Sequence, residues 1–511
     1  MMRYKNIAAV LTLAFLAACS VNPVTGKSEF VLMSEAEEIR TGQQAYAPAQ
    51  QSQGGVYDVD PALTAYVQKI GARLAEQAAR PLPYEFVVLN NSVPNAWAMP
   101  GGKIAINRGL LTELESEAEL AAVLGHEIVH ADARHSARQA ARGVWSQVLV
   151  VAAAVTTSDS NYGNLAVGGA GVGAQLVNAS YGRGDELESD KYGMQYMSRA
   201  GYDPAGAVKL QETFVRLSEG RNSDWLNGLF ASHPPSQERV NANRATAASL
   251  PPGGILGEDA FRLAMQKTLD AKPAYDAYDE GRKALADKNP DEALAQANKA
   301  LDLFSAEANF HALRGDVRLL EENYEWAVTN YTRAIDRRDD FFYYYLQRGL
   351  AKKELDEASG AVADLERSIE LLPTAPAHFS LGEIAAQRGQ TGTAIEHYKI
   401  VAKAGGEYGA AATTELAKLE LPSNPSGYIA RRCDADANGN LVVIVQNQTQ
   451  LTVTGVQIAI SYTDNAGQAR VARQSVRGQM APGQVASVNT GLGPYSGGSC
   501  PAEVVAARIV E

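Results

Sequence analysis

The chain has 511 residues, enough for about three domains of ordinary size with a sizeable core. Its 46% hydrophobic and 20% charged content is that of a globular protein and excludes disorder, collagen and coiled coil as whole-chain classes. With 46 basic against 58 acidic residues the net charge is -12, and the absence of a Lys/Arg cluster argues against nucleic acid as a partner.

Residues 1–18 read as a secretory signal, with Arg3 and Lys5 ahead of the apolar run 7–18, which is too short to span a bilayer. The run ends in Leu16-Ala17-Ala18-Cys19, which resembles the lipobox of bacterial lipoproteins. That resemblance implies cleavage before Cys19, lipidation of Cys19 and, with Ser20 rather than Asp at the next position, attachment to the outer membrane from the periplasm. Several acyl chains anchor stably where one is marginal. Residues 19–58 are then a lipidated linker, and this anchor is the expected route to the membrane, since no later stretch reaches 18 consecutive apolar residues. Setting Cys19 aside leaves Cys433 and Cys500, and export to an oxidising compartment predicts a disulfide between them.

A first domain is expected over 59–262. Residues 60–79 have helical periodicity, with Leu63, Tyr66, Val67, Ile70 and Leu74 on one face. Residues 84–89 and 103–106 read as strands, and 95–102 between them as a turn-rich loop. A long helix comes next, capped by Ser116 and Glu119 and expected to run to about Arg142. Segments 144–155 and 165–179 read as packed helices, a polar helix begins near Asp185, and Pro251-Pro252-Gly253-Gly254 marks a linker.

From about 275 to 421 the chain repeats itself. Gly281, Gly315, Gly349 and Gly382 are spaced 34, 34 and 33 apart, each followed after 12 residues by Ala293, Ala327, Ala361 and Ala394. Ala297, Tyr331, Leu365 and Tyr398 follow each glycine by 16. The pattern resembles the tetratricopeptide repeat, in which small residues sit where paired helices pack closely. The aromatics Phe341, Phe342, Tyr343, Tyr344 and Tyr345 are read as filling the inter-repeat core. Residues 428–511 hold short strand-like runs at 441–445, 456–462 and 484–488 between turns, which suggests a small β-sandwich stapled by Cys433 and Cys500.

The chemistry centres on His126-Glu127-Ile128-Val129-His130. Histidines at i and i+4 project from one helix face and can share a Zn²⁺, while Glu127 stands beside it where it can take a proton from the attacking water. A chain of this composition should contain about 0.01 such pentapeptides by chance. Ala133 and Ser136 stand where an extended motif would need Gly and His, so the metzincin class is excluded. On a continuous helix His135 lies about 180° from His126 and is not expected to be a ligand. The third ligand must come from elsewhere, and Asp185-Glu186-Leu187-Glu188-Ser189-Asp190 offers carboxylates at i and i+4. Spacing alone does not choose among Asp185, Glu186 and Glu188.

These motifs, with His233-Pro234, Arg239, Asn95-Ala96, Pro100-Gly101-Gly102 and Asn22-Pro23-Val24-Thr25-Gly26, resemble the HtpX/BepA-like zinc metallopeptidases, peptidase family M48. The resemblance covers about residues 22–250. It implies one zinc per chain on His126, His130 and Glu186, Glu127 as general base and Asp190 behind the ligands. It further implies that His233 and Arg239 approach the zinc and stabilise the oxyanion, or that His233 fills the open coordination place in a resting state. The extended substrate is expected to pair with the strand near 103–106.

The resulting expectation is an α+β protein: a mainly helical zincin-type peptidase domain with a small sheet, a helical tetratricopeptide-repeat solenoid and a small β-sandwich. It would cleave unfolded or misassembled envelope proteins, with repeats that dock substrate or the outer-membrane assembly machinery. The rival expectation is a chaperone or assembly scaffold with little proteolysis.

Overall fold

The structure, a computed structural model, describes residues 19–31, 33–139, 181–220, 232–464, 466–495 and 499–510. The expected signal segment and the apolar segments 144–155 and 165–179 lie outside the described residues. The chain divides into two compact units between Ala377 and His378.

The first unit opens on a hairpin of β1 (Cys19–Val21) and β2 (Ser28–Phe30). Helix α1 (Glu35–Ser52) starts at a capping box in which Ser34 and Glu37 satisfy each other's backbone donors. Helix α2 (Pro61–Ala75) buries Leu63, Val67, Ile70 and Leu74, the expected apolar stripe.

A three-stranded sheet comes next, of β3 (Glu85–Leu89), β4 (Ala96–Met99) and β5 (Lys103–Asn107), in the order β3-β5-β4. Strand β3 runs parallel to β5 and β4 antiparallel to it. Thus part of the expected loop 95–102 is a strand. Gly101 and Gly102 adopt φ of 77° and 81°, a left-handed turn that reverses the chain and brings Ala96–Met99 onto β5. The pairing also makes β5 the central strand. Both of its edges are taken, so residues 103–106 are not where a substrate strand can add.

After the short α3 (Arg108–Leu111) comes α4 (Glu117–Asp132). Ser116 caps it by accepting from the Glu119 amide, while the Glu119 carboxylate reaches the Glu115 amide, one residue beyond the expected box. The helix ends at Asp132, not near Arg142. Arg134 takes φ 61°, and α5 (His135–Gln139) leaves in a new direction. No glycine or proline marks this break. The Arg134 guanidinium pairs with Glu38 and donates to the Met33 carbonyl, and these contacts hold an arginine in a region that such residues rarely adopt. The Asp132 carboxylate accepts from the Ala79 amide at 2.7 Å and the Tyr196 hydroxyl at 2.6 Å.

Helices α6 (Arg183–Arg199), α7 (Ala205–Gly220) and α8 (Gln237–Ser249) complete the layer around α4. Helix α9 (Glu258–Ala286) then runs unbroken for 29 residues through the expected boundary between 262 and 275. Its Phe261, Met265 and Tyr275 share one core with α2, α4 and the sheet, so the repeats grow directly out of the preceding domain.

The repeat pairs continue with α10 (Pro290–Leu303), α11 (Ala308–Leu320), α12 (Tyr324–Ile335), α13 (Phe342–Glu354) and α14 (Ala358–Leu371). The recurrent Ala293, Ala327 and Ala361 are buried, and so are Phe341, Phe342, Tyr343 and Tyr344, which fill the repeat core as expected.

Helix α15 (Ala375–Gln387) straddles the division; after it come α16 (Thr391–Ala404) and α17 (Gly406–Glu420) of the second unit and then, among the described residues, strands alone save for one short turn of helix. One sheet orders β11 (Val485–Asn489), β7 (Leu441–Asn447) and β6 (Ile429–Ala435). The other sets β8 (Val453–Thr463) against β9 (Ala469–Ser475), β10 (Gln479–Met480) and β12 (Ala502–Ile509). Every pairing is antiparallel. Leu441, Val443 and Val445 face Val456, Ile458 and Ile460 across a shared core, which makes a sandwich. Cys433 of β6 is bonded to Cys500, with Cα atoms 5.1 Å apart. The architecture is α+β as the sequence predicts. No helix among the described residues is long and apolar enough to cross a membrane.

Candidate metal centre

Helices α4 and α6 carry the site, and they touch backbone to backbone. A Cβ on Gly193 would stand 2.9 Å from Gly125 C and His126 N, closer than real side-chain carbons come. This close approach lets Glu186 and Asp190, on the buried face of α6, reach the imidazoles of α4.

Four side chains converge there. His126 Nε2 lies 3.0 Å from His130 Nε2 and 3.3 Å from His233 Nδ1. The Glu186 carboxylate is 3.5 Å from His126 Nε2, 3.3 Å from His130 Nε2 and 3.0 Å from His233 Nδ1. All four residues are buried, and their ligand atoms fall within 4.8 Å of one another. A tetrahedral ion about 2.0–2.1 Å from each ligand would separate them by about 3.3 Å. The residues therefore fit a bound metal, and imidazole and carboxylate donors are of the kind zinc takes. Burial disfavours a charged His126, but Glu186 and Asp190 outweigh it and push its pKa up to about 10. The pocket favours a cation.

The supporting contacts are specific. Asp190 Oδ1 lies 2.9 Å from His126 Nδ1 and fixes that ring with Nε2 toward the cluster. Arg239, expected at the oxyanion, is placed otherwise. Its guanidinium grips Asp190 with two bonds of 2.7 Å and stands 2.9 Å from Glu186, so it holds the carboxylates in place. Glu127 Oε1 lies 3.6 Å from His233 Nε2. Its Oε2 is buried and finds no hydrogen-bond partner among the described residues. Burial raises the Glu127 pKa above the ordinary carboxylate value. The cavity beside it, lined by Ala96, His126, Glu127, Asp190 and His233 among others, measures about 30 Å³. That is room for a water molecule and far too little for a peptide.

Three residues that sequence reasoning did not place at the site complete its surroundings. Tyr181 stacks on His130 with ring centroids 3.8 Å apart, and its hydroxyl meets Ser136 at 3.0 Å. His135 Nδ1 lies 2.8 Å from His130 Nδ1, and His135 Nε2 lies 3.2 Å from Glu188. Asn22 donates to the same Glu188 oxygen. The expectation that His135 points away assumed an unbroken helix, and the turn at Arg134 reverses that. His135 is still outside the cluster of four, and Glu188, an alternative to Glu186 in the sequence, pairs with His135 instead.

Residues 61–247 match the model of peptidase family M48. Metalloprotease YcaL of Escherichia coli is 32% identical over 195 residues, covering 35% of this chain and 71% of that protein. The chain belongs to peptidase family M48. The Beta-barrel assembly-enhancing protease of Escherichia coli is 28% identical over 285 residues, 55% of this chain and 56% of its own length. This chain thus spans about half the length of the assembly-enhancing proteases it matches. Mitochondrial metalloendopeptidase OMA1 of Schizosaccharomyces pombe is 34% identical over 230 residues, 43% of this chain and 63% of that one. The solved tetratricopeptide-repeat protein YrrB aligns with 32% of this chain and 82% of its own at 23% identity, with a TM-score of 0.27 that is too low to carry any argument.

Proposed function

We propose that this M48 protein is a zinc-dependent endopeptidase that cleaves unfolded or misassembled envelope proteins. The observation that carries the reading is the buried cluster of His126, His130, Glu186 and His233 with an unpartnered Glu127 oxygen beside it. His126, His130 and Glu186 would hold the metal, which would supply Lewis-acid chemistry at the scissile carbonyl and at a water. Glu127 takes the proton of the attacking water and hands it to the leaving nitrogen. Asp190 keeps His126 in the tautomer that presents Nε2, and Arg239 keeps Asp190 and Glu186 ionised and in place.

A fourth ligand atom from His233 in the cluster, together with the small cavity, supports a resting state in which His233 fills the open place. Withdrawal of His233 frees the place for water and leaves its imidazole near enough to bind the developing oxyanion. The substrate backbone then adds to the outer edge of β4, which no strand pairs with among the described residues and which borders the cavity through Ala96. Backbone pairing reads little sequence, so an unfolded chain matters more than particular residues. Lipidated Cys19 anchors the enzyme to the outer membrane on the periplasmic side, and the repeats dock the assembly machinery or its stalled clients.

The test is cleavage of casein by the mature chain, wild type against Glu127→Gln, with zinc measured in both. Zinc in both proteins and cleavage in the wild type alone are expected. A wild type that holds zinc and cuts only as His233→Ala supports the resting block. A wild type without zinc or cleavage returns the function to a docking scaffold.

A further inference from the structure

The ring nitrogen of His130 that is turned away from the cluster, Nδ1, faces another imidazole. The other, Nε2, belongs to the cluster and must offer a lone pair, so Nδ1 carries the proton. That N–H faces His135 Nδ1 at 2.8 Å, which must accept. The His135 proton therefore sits on Nε2, 3.2 Å from Glu188 Oε1, which accepts it. Asn22 Nδ2 donates to the same oxygen at 3.0 Å and to Glu29 Oε1 at 3.2 Å. Donation thus runs from His130 through His135 to Glu188, where Asn22 donates from the opposite side, and both imidazoles are fully buried. Without His135 the Nδ1–H of His130 would have no acceptor, which costs the desolvation of a buried donor.

We infer that His135 is a positioning residue for His130, and that Glu188, which accepts from both His135 and Asn22, ties it to the N-terminal hairpin. The inference rests on the metal site proposed under the function. The hairpin and the segment after it also make the geometry possible. Arg134, whose left-handed turn swings His135 beneath His130, is held by Glu38 and the Met33 carbonyl. Arg138, next along α5, bridges Glu29 of β2 and Asp185 at the start of α6. Residues 22–38 are thus part of the support of the metal centre.

The experiment measures zinc affinity of the full mature chain by competition with a chromophoric chelator, in wild type, His135→Ala, His135→Gln, Glu188→Gln and Asn22→Ala. Thermal unfolding of each chelated protein reports whether the fold survives. Loss of an outer-shell partner typically costs about 10–100-fold in metal affinity. His135→Ala should lose affinity in that range while the chelated protein still unfolds cooperatively at a somewhat lower temperature, and the Co²⁺-loaded protein should show a changed visible spectrum. His135→Gln, whose carbonyl can accept from His130, should recover part of the affinity. Glu188→Gln and Asn22→Ala should fall in the same direction by less. Glu188→Gln, isosteric and half-buried, carries the test if His135→Ala fails to fold. Wild-type affinity and spectrum in the folded His135→Ala protein, or in Glu188→Gln where that is the protein tested, overturn the inference and leave the metal site standing. A wild type that binds no zinc overturns the metal site itself.

Discussion

Two buried carboxylates in the first unit show what separates a structural acid from a working one. Asp316, in the repeats, accepts from the hydroxyls of Tyr331 at 2.6 Å and Tyr343 at 2.9 Å and pairs with Arg282 at 2.8 Å. Each of its oxygens has a partner, and its burial is compensated within the fold. Glu127, in the metal centre, is buried as deeply, yet Oε2 has no hydrogen-bond partner among the described residues. An uncompensated buried acceptor is costly and persists where the missing partner is a reactant. Closure rigidifies the first site, while the open valence of the second, shared by Asp132 Oδ1 at the end of α4, stands beside the histidine cluster, where the proposed function would use it.

Glu127→Gln gives the sharpest break in that comparison. Activity on casein should fall by about 10²–10⁴-fold, the usual contribution of a general base, with zinc content unchanged. Arg239→Ala comes next, because it strips a buried cation from Asp190 and Glu186. Breaking a buried pair costs about 3–5 kcal/mol, so urea unfolding of the chelated protein should show a loss of that order. Gly193→Ala tests the approach of α4 and α6. Overpacking against backbone should cost about 1–3 kcal/mol and lower zinc affinity, since Glu186 and Asp190 would move away from the histidines. Asp316→Asn should give the smallest change. It keeps most of the hydrogen bonds, lowers stability by about 1–2 kcal/mol and leaves zinc affinity and cleavage at wild-type values. A loss of zinc in Asp316→Asn would show that the two carboxylates are coupled and would undo the distinction.

Much of the molecule is legible in its sequence, for reasons that differ from place to place. The meeting of His126 and His130 follows from helical spacing alone, since i and i+4 share a face in any α-helix. The repeat register follows from small residues at a fixed period, and its core aromatics from burial. Strand β4 is hidden because Ala96–Met99 is only four residues long and adjoins Pro100, Gly101 and Gly102, which read as loop. Its pairing displaces β5 from the substrate edge to the centre of the sheet. The end of α4 is hidden for a different reason. No breaker residue stands at Ala133 or Arg134, and the turn exists because Glu38 and Met33, about a hundred residues away in the chain, hold it.

Local sequence is enough to say which residue types can bind a metal, where the repeats lie and that two cysteines remain for the sandwich. These are matters of periodicity and count, which the chain carries wherever it folds. Packing is needed to select Glu186 rather than Glu188 as the partner of the histidines, to turn Arg239 toward Asp190, and to bring His135 back to meet His130. Those outcomes depend on how closely α6 approaches α4 and on where a distant segment grips Arg134, and no spacing within either segment encodes them.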